Sequence, residues 1–184
     1  MFAVVAHFDQ RTESSISSLW KGLSDRSISN YAYEVIDRKP HITLADYSSI
    51  DDDFLSAFDY LYSTQAKVPV IFNTLSTFIK TGTLLLTPTP SKELMDLHNK
   101  NHIGFSKYAD PQSLYLPNKW TPHCTIANRL SPDKLTEAFN YCTEQLDVLN
   151  SEIVQISVIK IAYKANRAVR VSIINNAMLS SHEN

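Results

Sequence analysis

The chain has 184 residues, 43% of them hydrophobic, with a formal net charge of −2. That length supports one substantial domain, or two small lobes sharing a core, and argues against two independent domains. The charge excludes the basic face needed to grip long duplex nucleic acid but leaves a nucleotide or an RNA end open as ligand.

The two cysteines, Cys124 and Cys142, show no CxxC spacing and no secretory leader precedes them, so neither a disulfide framework nor a zinc ribbon is expected. The expected compartment is the reducing cytoplasm. The apolar opening run Met1 to Phe8 is too short to span a bilayer and reads as a buried strand, with no membrane association. Asp9 then caps a helix whose apolar residues Ile16, Leu19, Trp20 and Leu23 recur at helical spacing. Residues 30–40 form a connection with a short extended piece at Tyr33 to Ile36. The next helix begins near Asp51. Its acidic first turn, Asp51 to Asp53, suits the positive end of a helix, and Phe54, Leu55, Phe58, Leu61 and Tyr62 form its buried stripe. A strand over residues 67–72 continues as extended chain to Lys80.

Thr81-Gly82 reads as a turn, and residues 83–87 form a strand resembling the opening of the chain. Thr89, with Pro90 at the first helical position, predicts a helix carrying Leu94, Met95, Leu97 and Ile103. A polar loop with Pro111 and Pro117 follows. Ser131-Pro132 opens the last helix, with Leu135, Ala138, Phe139, Cys142 and Leu146 inward. Two long strands, 153–163 and 168–174, are joined across residues 164–167, and the tail over 177–184 is expected to fray. The plan strand–helix–strand–helix–strand thus occurs twice, over about 1–80 and 83–176. The offset that aligns the two motifs described next also superposes Met1 on Thr83 and Asp51 on Asp133.

One motif sits in each half. Pro40-His41-Ile42-Thr43-Leu44-Ala45 and Pro122-His123-Cys124-Thr125-Ile126-Ala127 share proline, histidine, threonine and alanine in register. Each reads as a strand, in which side chains two residues apart share a face. His41 and Thr43 therefore point one way and Ile42 and Leu44 the other, and the second copy repeats the pattern. If the halves face each other, two imidazoles and two hydroxyls converge.

With both motifs in view, the chain resembles the two-histidine (2H) phosphoesterase superfamily, in the branch related to 2'-5' RNA ligases. That family carries two His-x-(Thr/Ser)-x motifs, and the resemblance covers roughly Met1 to Ile174. It implies an α+β, duplicated two-lobed fold, with two antiparallel-rich sheets flanking a central cleft and helices outside. It also implies a monomeric enzyme, without metal or other cofactor, acting on a 2',3'-cyclic phosphate or a 2'-5' linkage of RNA ends or small nucleotides. The residue chemistry agrees. Displacement at phosphorus needs a base for the attacking hydroxyl and an acid for the leaving oxygen, and imidazole serves either role near neutral pH. His41 and His123 are the expected pair, and Thr43 and Thr125 the expected phosphate donors. The near symmetry leaves the acid and base assignment open.

In the family the base or sugar commonly lies against aromatic residues, which makes Trp120, Tyr115, Tyr47 and Phe8 candidates. Arg129, Lys80, Lys119 and Arg167 could assist the phosphate, and His7, at the end of the first strand, could reach the cleft. His98 and His102, four apart, are read as a surface helix face, and Cys124 as a small core residue. The competing readings are a nucleotide- or RNA-binding module with little turnover and a zinc hydrolase using the two histidines with a carboxylate.

Overall fold

The computed structural model describes residues 1–181. In chain order the elements are β1 (Phe2–Phe8), α1 (Gln10–Asp25), β2 (Ile42–Tyr47), α2 (Asp52–Tyr62), β3 (Val68–Phe78) and β4 (Thr83–Pro88). There follow α3 (Lys92–Gly104), β5 (Cys124–Ala127), α4 (Pro132–Gln145), β6 (Leu149–Lys164) and β7 (Arg167–Met178). The architecture is α+β, with an antiparallel sheet and four helices.

The strands run β2-β1-β6-β3-β4-β5, with β7 also on β6. The order is palindromic. Each half supplies two adjacent strands, β1 with β2 and β4 with β5, and lends its third strand to the other: β6 pairs β1, and β3 pairs β4. The expected two sheets are joined into one seven-stranded ladder because β6, 16 residues long, pairs β3 along its opening residues and β1 and β7 beyond them.

Local chemistry explains the element ends. Asp9 and Ser131 cap their helices as expected, and Asp51, read as part of an acidic first turn, is the cap of α2; each accepts a bond from the backbone N–H three residues on. The third helix starts later than expected: Ser91, not Thr89, takes the Leu94 N–H at 3.1 Å. Gly82 turns the chain into β4 at φ +63°, and a Cβ there would lie 2.2 Å from the Leu130 carbonyl oxygen. At the β6–β7 hairpin, Ala165 and Asn166 both have positive φ, the two-residue turn that matches strand twist. The stretch expected to be extended at Tyr33 to Ile36 instead begins in a 3-10 turn, Tyr31–Tyr33, and only Ile36 bridges to Arg170.

The main core lies between one face of the sheet and the helices. It gathers Val4, Ala6 and Phe8 of β1 with Ile42 and Leu44 of β2, Leu84 and Leu86 of β4, and Phe54, Phe58 and Leu94 of the helices. Burying such side chains contributes roughly 1.5–3 kcal/mol each. Asn101 is the polar tie within it: Tyr62 donates to its oxygen at 3.0 Å, and its amide donates to Tyr47 at 3.1 Å, so α3 is pinned to α2 and β2. Ile103, expected inward on α3, is 78% exposed. The end of the chain is also tighter than expected. Leu179 is buried and donates to the Val154 carbonyl, and Ser180 bridges to Ala66, so the stretch expected to fray is held to the sheet as far as Ser180; residues 182–184 lie outside the described residues.

Candidate active site

Both motifs ride on strands with the same irregularity. On the β1–β2 ladder Val4 pairs Ala45 and Val5 pairs Thr43, skipping Leu44. On the β4–β5 ladder Leu84 pairs Ala127 and Leu85 pairs Thr125, skipping Ile126. Leu44 and Ile126 are the same position of the repeat. A bulge there bends each strand and aims the residues before it. The partners of the two threonines, Val5 and Leu85, also refine the repeat: β4 is equivalent to β1 with two residues fewer between copies than the motifs themselves have.

His41 and His123 each sit one residue ahead of the first strand residue, Ile42 and Cys124. Both rings are fixed the same way. His41 Nδ1 lies 2.7 Å from the Lys39 carbonyl oxygen, and His123 Nδ1 lies 2.7 Å from that of Thr121. A carbonyl only accepts, so Nδ1 carries the hydrogen and Nε2 is left with its lone pair. The shared prolines, Pro40 and Pro122, stand between each carbonyl and its ring. Their fixed φ holds that short backbone loop in shape.

The halves meet through these segments. Trp120, leading into the second motif, donates its indole N–H to the Thr43 carbonyl at 2.9 Å. Tyr31, from the loop before β2, lies near Thr125, and Tyr115, from the loop before β5, lies near Thr43, so each threonine has a tyrosine of the opposite half as a neighbour. Arg129, after β5, pairs with Glu34, before β2, and ties the two loops at their exposed rim.

Around the rings the symmetry breaks. His7 stands beside His41, ring centroids 6.3 Å apart, and its Nδ1 lies 3.3 Å from the Pro40 carbonyl oxygen. By the same argument its proton is on Nδ1, and its buried Nε2 has no partner. Arg38 donates to the Tyr31 carbonyl and lies 3.7 Å over the Tyr31 ring. Burial first, then the charges of His7, Arg38 and His123, push the His41 pKa down to about 4 against the pull of the Lys39 carbonyl. His123 faces the edge of Phe78 instead, at 5.0 Å and 88°. Its pKa is also lowered by burial, opposed by the Thr121 carbonyl. Burial pushes the Cys124 thiol up to about 12, so it stays protonated and is a core residue facing away from the rings.

Several sequence-derived expectations change. Trp120 is buried, stacked at 3.8 Å and 4° on His98, so it braces the site and offers no open face to a ligand. Tyr47 and Phe8 are core residues. His98 is fully buried, not on a surface face: its Nε2 donates to the Tyr115 carbonyl at 2.8 Å, and His102 beside it reaches the Leu44 carbonyl at 3.2 Å. This pair carries the loop that holds Tyr115 and Trp120. Lys119 donates to the Pro111 carbonyl, Lys80 is exposed in the β3–β4 turn, and Arg167 is exposed at the start of β7. Arg38, Tyr31 and Phe78 were missed. Arg38 was within reach of the repeat itself, because it occupies the position that Trp120 fills in the second copy. Among the described residues no three His, Cys, Asp or Glu side chains gather as metal ligands would, and Asp51 spends its carboxylate on the α2 cap.

An antiparallel sheet whose two halves each present a Pro-His-x-Thr segment, rings in one tautomer, is the design of a two-histidine phosphoesterase. Residues 10–164 match the family model described as the 2'-5' RNA ligase superfamily, and the chain belongs to that superfamily, the 2H phosphoesterases. Among solved structures, LigT of E. coli complexed with 3'-AMP is similar with a TM-score of 0.66 at 12% identity, over 98% of both chains. A crystal structure described only as a phosphoesterase gives 0.62 at 12% identity, over 98% of both chains. A protein of Thermus thermophilus gives 0.62 at 10% identity, over 99% of both chains. These likenesses are of fold. No curated protein sequence matches this chain. Among the described residues no helix is long and apolar enough to cross a membrane.

Proposed function

We propose that the protein hydrolyses a 2',3'-cyclic phosphate or a 2'-5' phosphodiester of RNA ends or small nucleotides, by acid–base catalysis between His41 and His123 without a metal ion. The observation that carries this reading is the matched 2.7 Å bond from each Nδ1 to the carbonyl two residues before it, which readies both Nε2 atoms for proton transfer. His41, with Arg38 and His7 against it and its pKa near 4, is neutral at working pH and takes the role of base. His123 is the acid, and the negative phosphate, once bound beside it, favours its protonated form. His41 Nε2 takes a proton from water as the water oxygen bonds to phosphorus. The bond from phosphorus to the leaving ribose oxygen breaks, and His123 Nε2 returns a proton to that oxygen. Thr43 and Thr125 donate hydroxyls to the non-bridging oxygens. A similar fold, that of LigT, has been crystallised with 3'-AMP, ATP and NADP+, which supports a nucleotide as ligand.

The test is turnover of 2',3'-cyclic nucleotides and 2'-5' oligoadenylates in the presence of chelator. Turnover is expected to survive chelation. Binding without turnover would identify a nucleotide-binding module, and loss of activity with chelator would point to a metal enzyme.

A further inference from the structure

The net charge of −2 hides a division along the chain. Residues 153–181 hold Lys160, Lys164, Arg167 and Arg170 and no Asp or Glu, so the acidic excess lies elsewhere. One ribbon brings these four cations together, the hairpin of β6 and β7, and β7 is the strand with no counterpart in the first half of the chain. Side chains directly opposite on paired strands share a face. Lys164 stands opposite Arg167, Ala162 opposite Arg170 and Lys160 opposite Ser172, and these positions of β6 alternate with Ile159, Ile161 and Tyr163. All four cations therefore project from the same face of the ribbon, and all are exposed.

Pairing within the protein does not account for this face. Arg170 has Asp37 at 3.3 Å, but among the described residues Lys160, Lys164 and Arg167 have no carboxylate partner. Like charges directly opposite each other, as at Lys164 and Arg167, destabilise a ladder. Charges that prevent edge-to-edge association belong on an edge strand, yet Lys160 lies on β6 between β1 and β7. A string of anions laid along the face would offset the repulsion. The ribbon is also continuous with the candidate active site. Thr43 pairs Val5, Val5 pairs Ser157, and Lys160 and Lys164 follow on the same strand. At about 3.3 Å per residue the cations begin roughly 10 Å beyond that row and extend to roughly 23 Å. Ile159 shares the face of Val5 and Thr43, so the cations turn the other way and do not touch the reacting phosphate.

We propose that the basic face of the β6–β7 ribbon grips the backbone of a single-stranded RNA whose end lies in the cleft. This rests on the phosphoesterase reading and names the substrate class of that site, RNA ends in preference to free nucleotides. A flexible single strand passes from the cleft face to the basic face round the tip of the hairpin, a path too sharp for a stiff duplex. Lysine and arginine on phosphates carry no sequence information, so the grip serves any base.

The test is fluorescence anisotropy of a labelled oligouridylate of about 12 nucleotides, ending in a 3'-hydroxyl, titrated with the full chain between about 50 and 200 mM salt. Each phosphate neutralised on a single strand contributes about 0.7 to the salt slope, so three free cations predict an affinity loss of roughly twentyfold or more over that range. Lys164→Gln combined with Arg167→Gln should make that loss about sevenfold smaller, and Lys160→Gln alone about 2.5-fold smaller. Lys92→Gln combined with Lys134→Gln, an equal charge change on α3 and α4, should leave it unchanged. The urea midpoint of the Lys164→Gln, Arg167→Gln variant should hold or rise, because a like-charge pair is removed. The proposal falls if this variant keeps the salt dependence of wild type, if it unfolds at lower urea than wild type, or if wild type does not bind the oligonucleotide at the lower salt. It also falls if vesicles containing phosphatidylserine bind wild type and the oligonucleotide does not, which would assign the ribbon to a membrane surface. Turnover of uridine 2',3'-cyclic phosphate is measured alongside and should be equal in wild type and the ribbon variants. Its absence with the salt pattern intact would overturn the phosphoesterase reading alone, and its presence without salt-dependent RNA binding would overturn the ribbon alone.

Discussion

His41 and His123 occupy the same place in two copies of one backbone design, and they differ only in company. Each follows a proline, precedes a bulged edge strand and gives its Nδ1 hydrogen to the carbonyl two residues back. One ring then meets His7 and Arg38, the other the edge of Phe78. The comparison separates two jobs. Repeated backbone geometry places a group, and the unrepeated side chains around it set its proton affinity. A duplicated site gains distinct acid and base roles through its neighbours, without changing its scaffold.

The largest test of that comparison removes each ring in turn. His41→Ala and His123→Ala should each lower kcat by about 10²–10⁴-fold, the usual worth of a positioned acid or base. They should differ in what remains: His41→Ala loses the acidic limb of the pH profile and His123→Ala the alkaline limb. In wild type both limbs report lowered values, so kcat/KM should peak between about pH 4 and the ordinary histidine value of 6.5. A peak above pH 7, or identical profiles for the two variants, would break the assignment.

A smaller effect lies in the braces. Trp120 of the second half stacks on His98, whereas Arg38, at the equivalent position, lies on Tyr31. Burial, against the pull of the Tyr115 carbonyl, holds His98 down to about 4 while the unfolded chain titrates near 6.5. The unfolded state therefore takes up the proton first as pH falls. The stabilisation is full above pH 6.5 and is lost progressively towards pH 4, with a slope of at most about 1.4 kcal/mol per pH unit. Urea midpoints across this range should show a shallower slope in His98→Gln than in wild type. Equal slopes would show that His98 is not the group responsible.

The smallest effect sharpens the role of His7. Pro40 has no N–H and His41 lies ahead of the first strand residue, so the imidazole N–H of His7 takes a carbonyl that a ladder bond would otherwise hold. His7→Ala should lower kcat about fivefold with KM little changed, the worth of one hydrogen bond. His7→Asn, which places a donor where Nδ1 was, should restore most of it, and His7→Gln should not. Equal rescue by both would mean that His7 only fills space.

Most of this was written in local pattern. Both motifs, two of the four caps and the hairpin turns follow from residue types a few positions apart. What stayed hidden depended on contacts far along the chain. His98 and His102 at helical spacing look solvent-facing, and only the Tyr115 and Leu44 carbonyls make their burial tolerable. Trp120 looked like a stacking platform until its partner across the halves, the Thr43 carbonyl, was in place. Ser91 displaced Thr89 as a cap because both residue types serve equally and the end of β4 decided between them. Leu179 was read as part of a loose tail, although the core had a place for it.

The exchange of third strands has a consequence for assembly. Cut after Gly82, the chain would yield two fragments, each holding a strand that the other needs and missing one of its own. Neither would have a finished edge, so fragment complementation, and not independent folding, is what such a cut should produce. The reactive groups would be reunited only when the pieces are, which makes recovery of activity on mixing a direct report of the interlock.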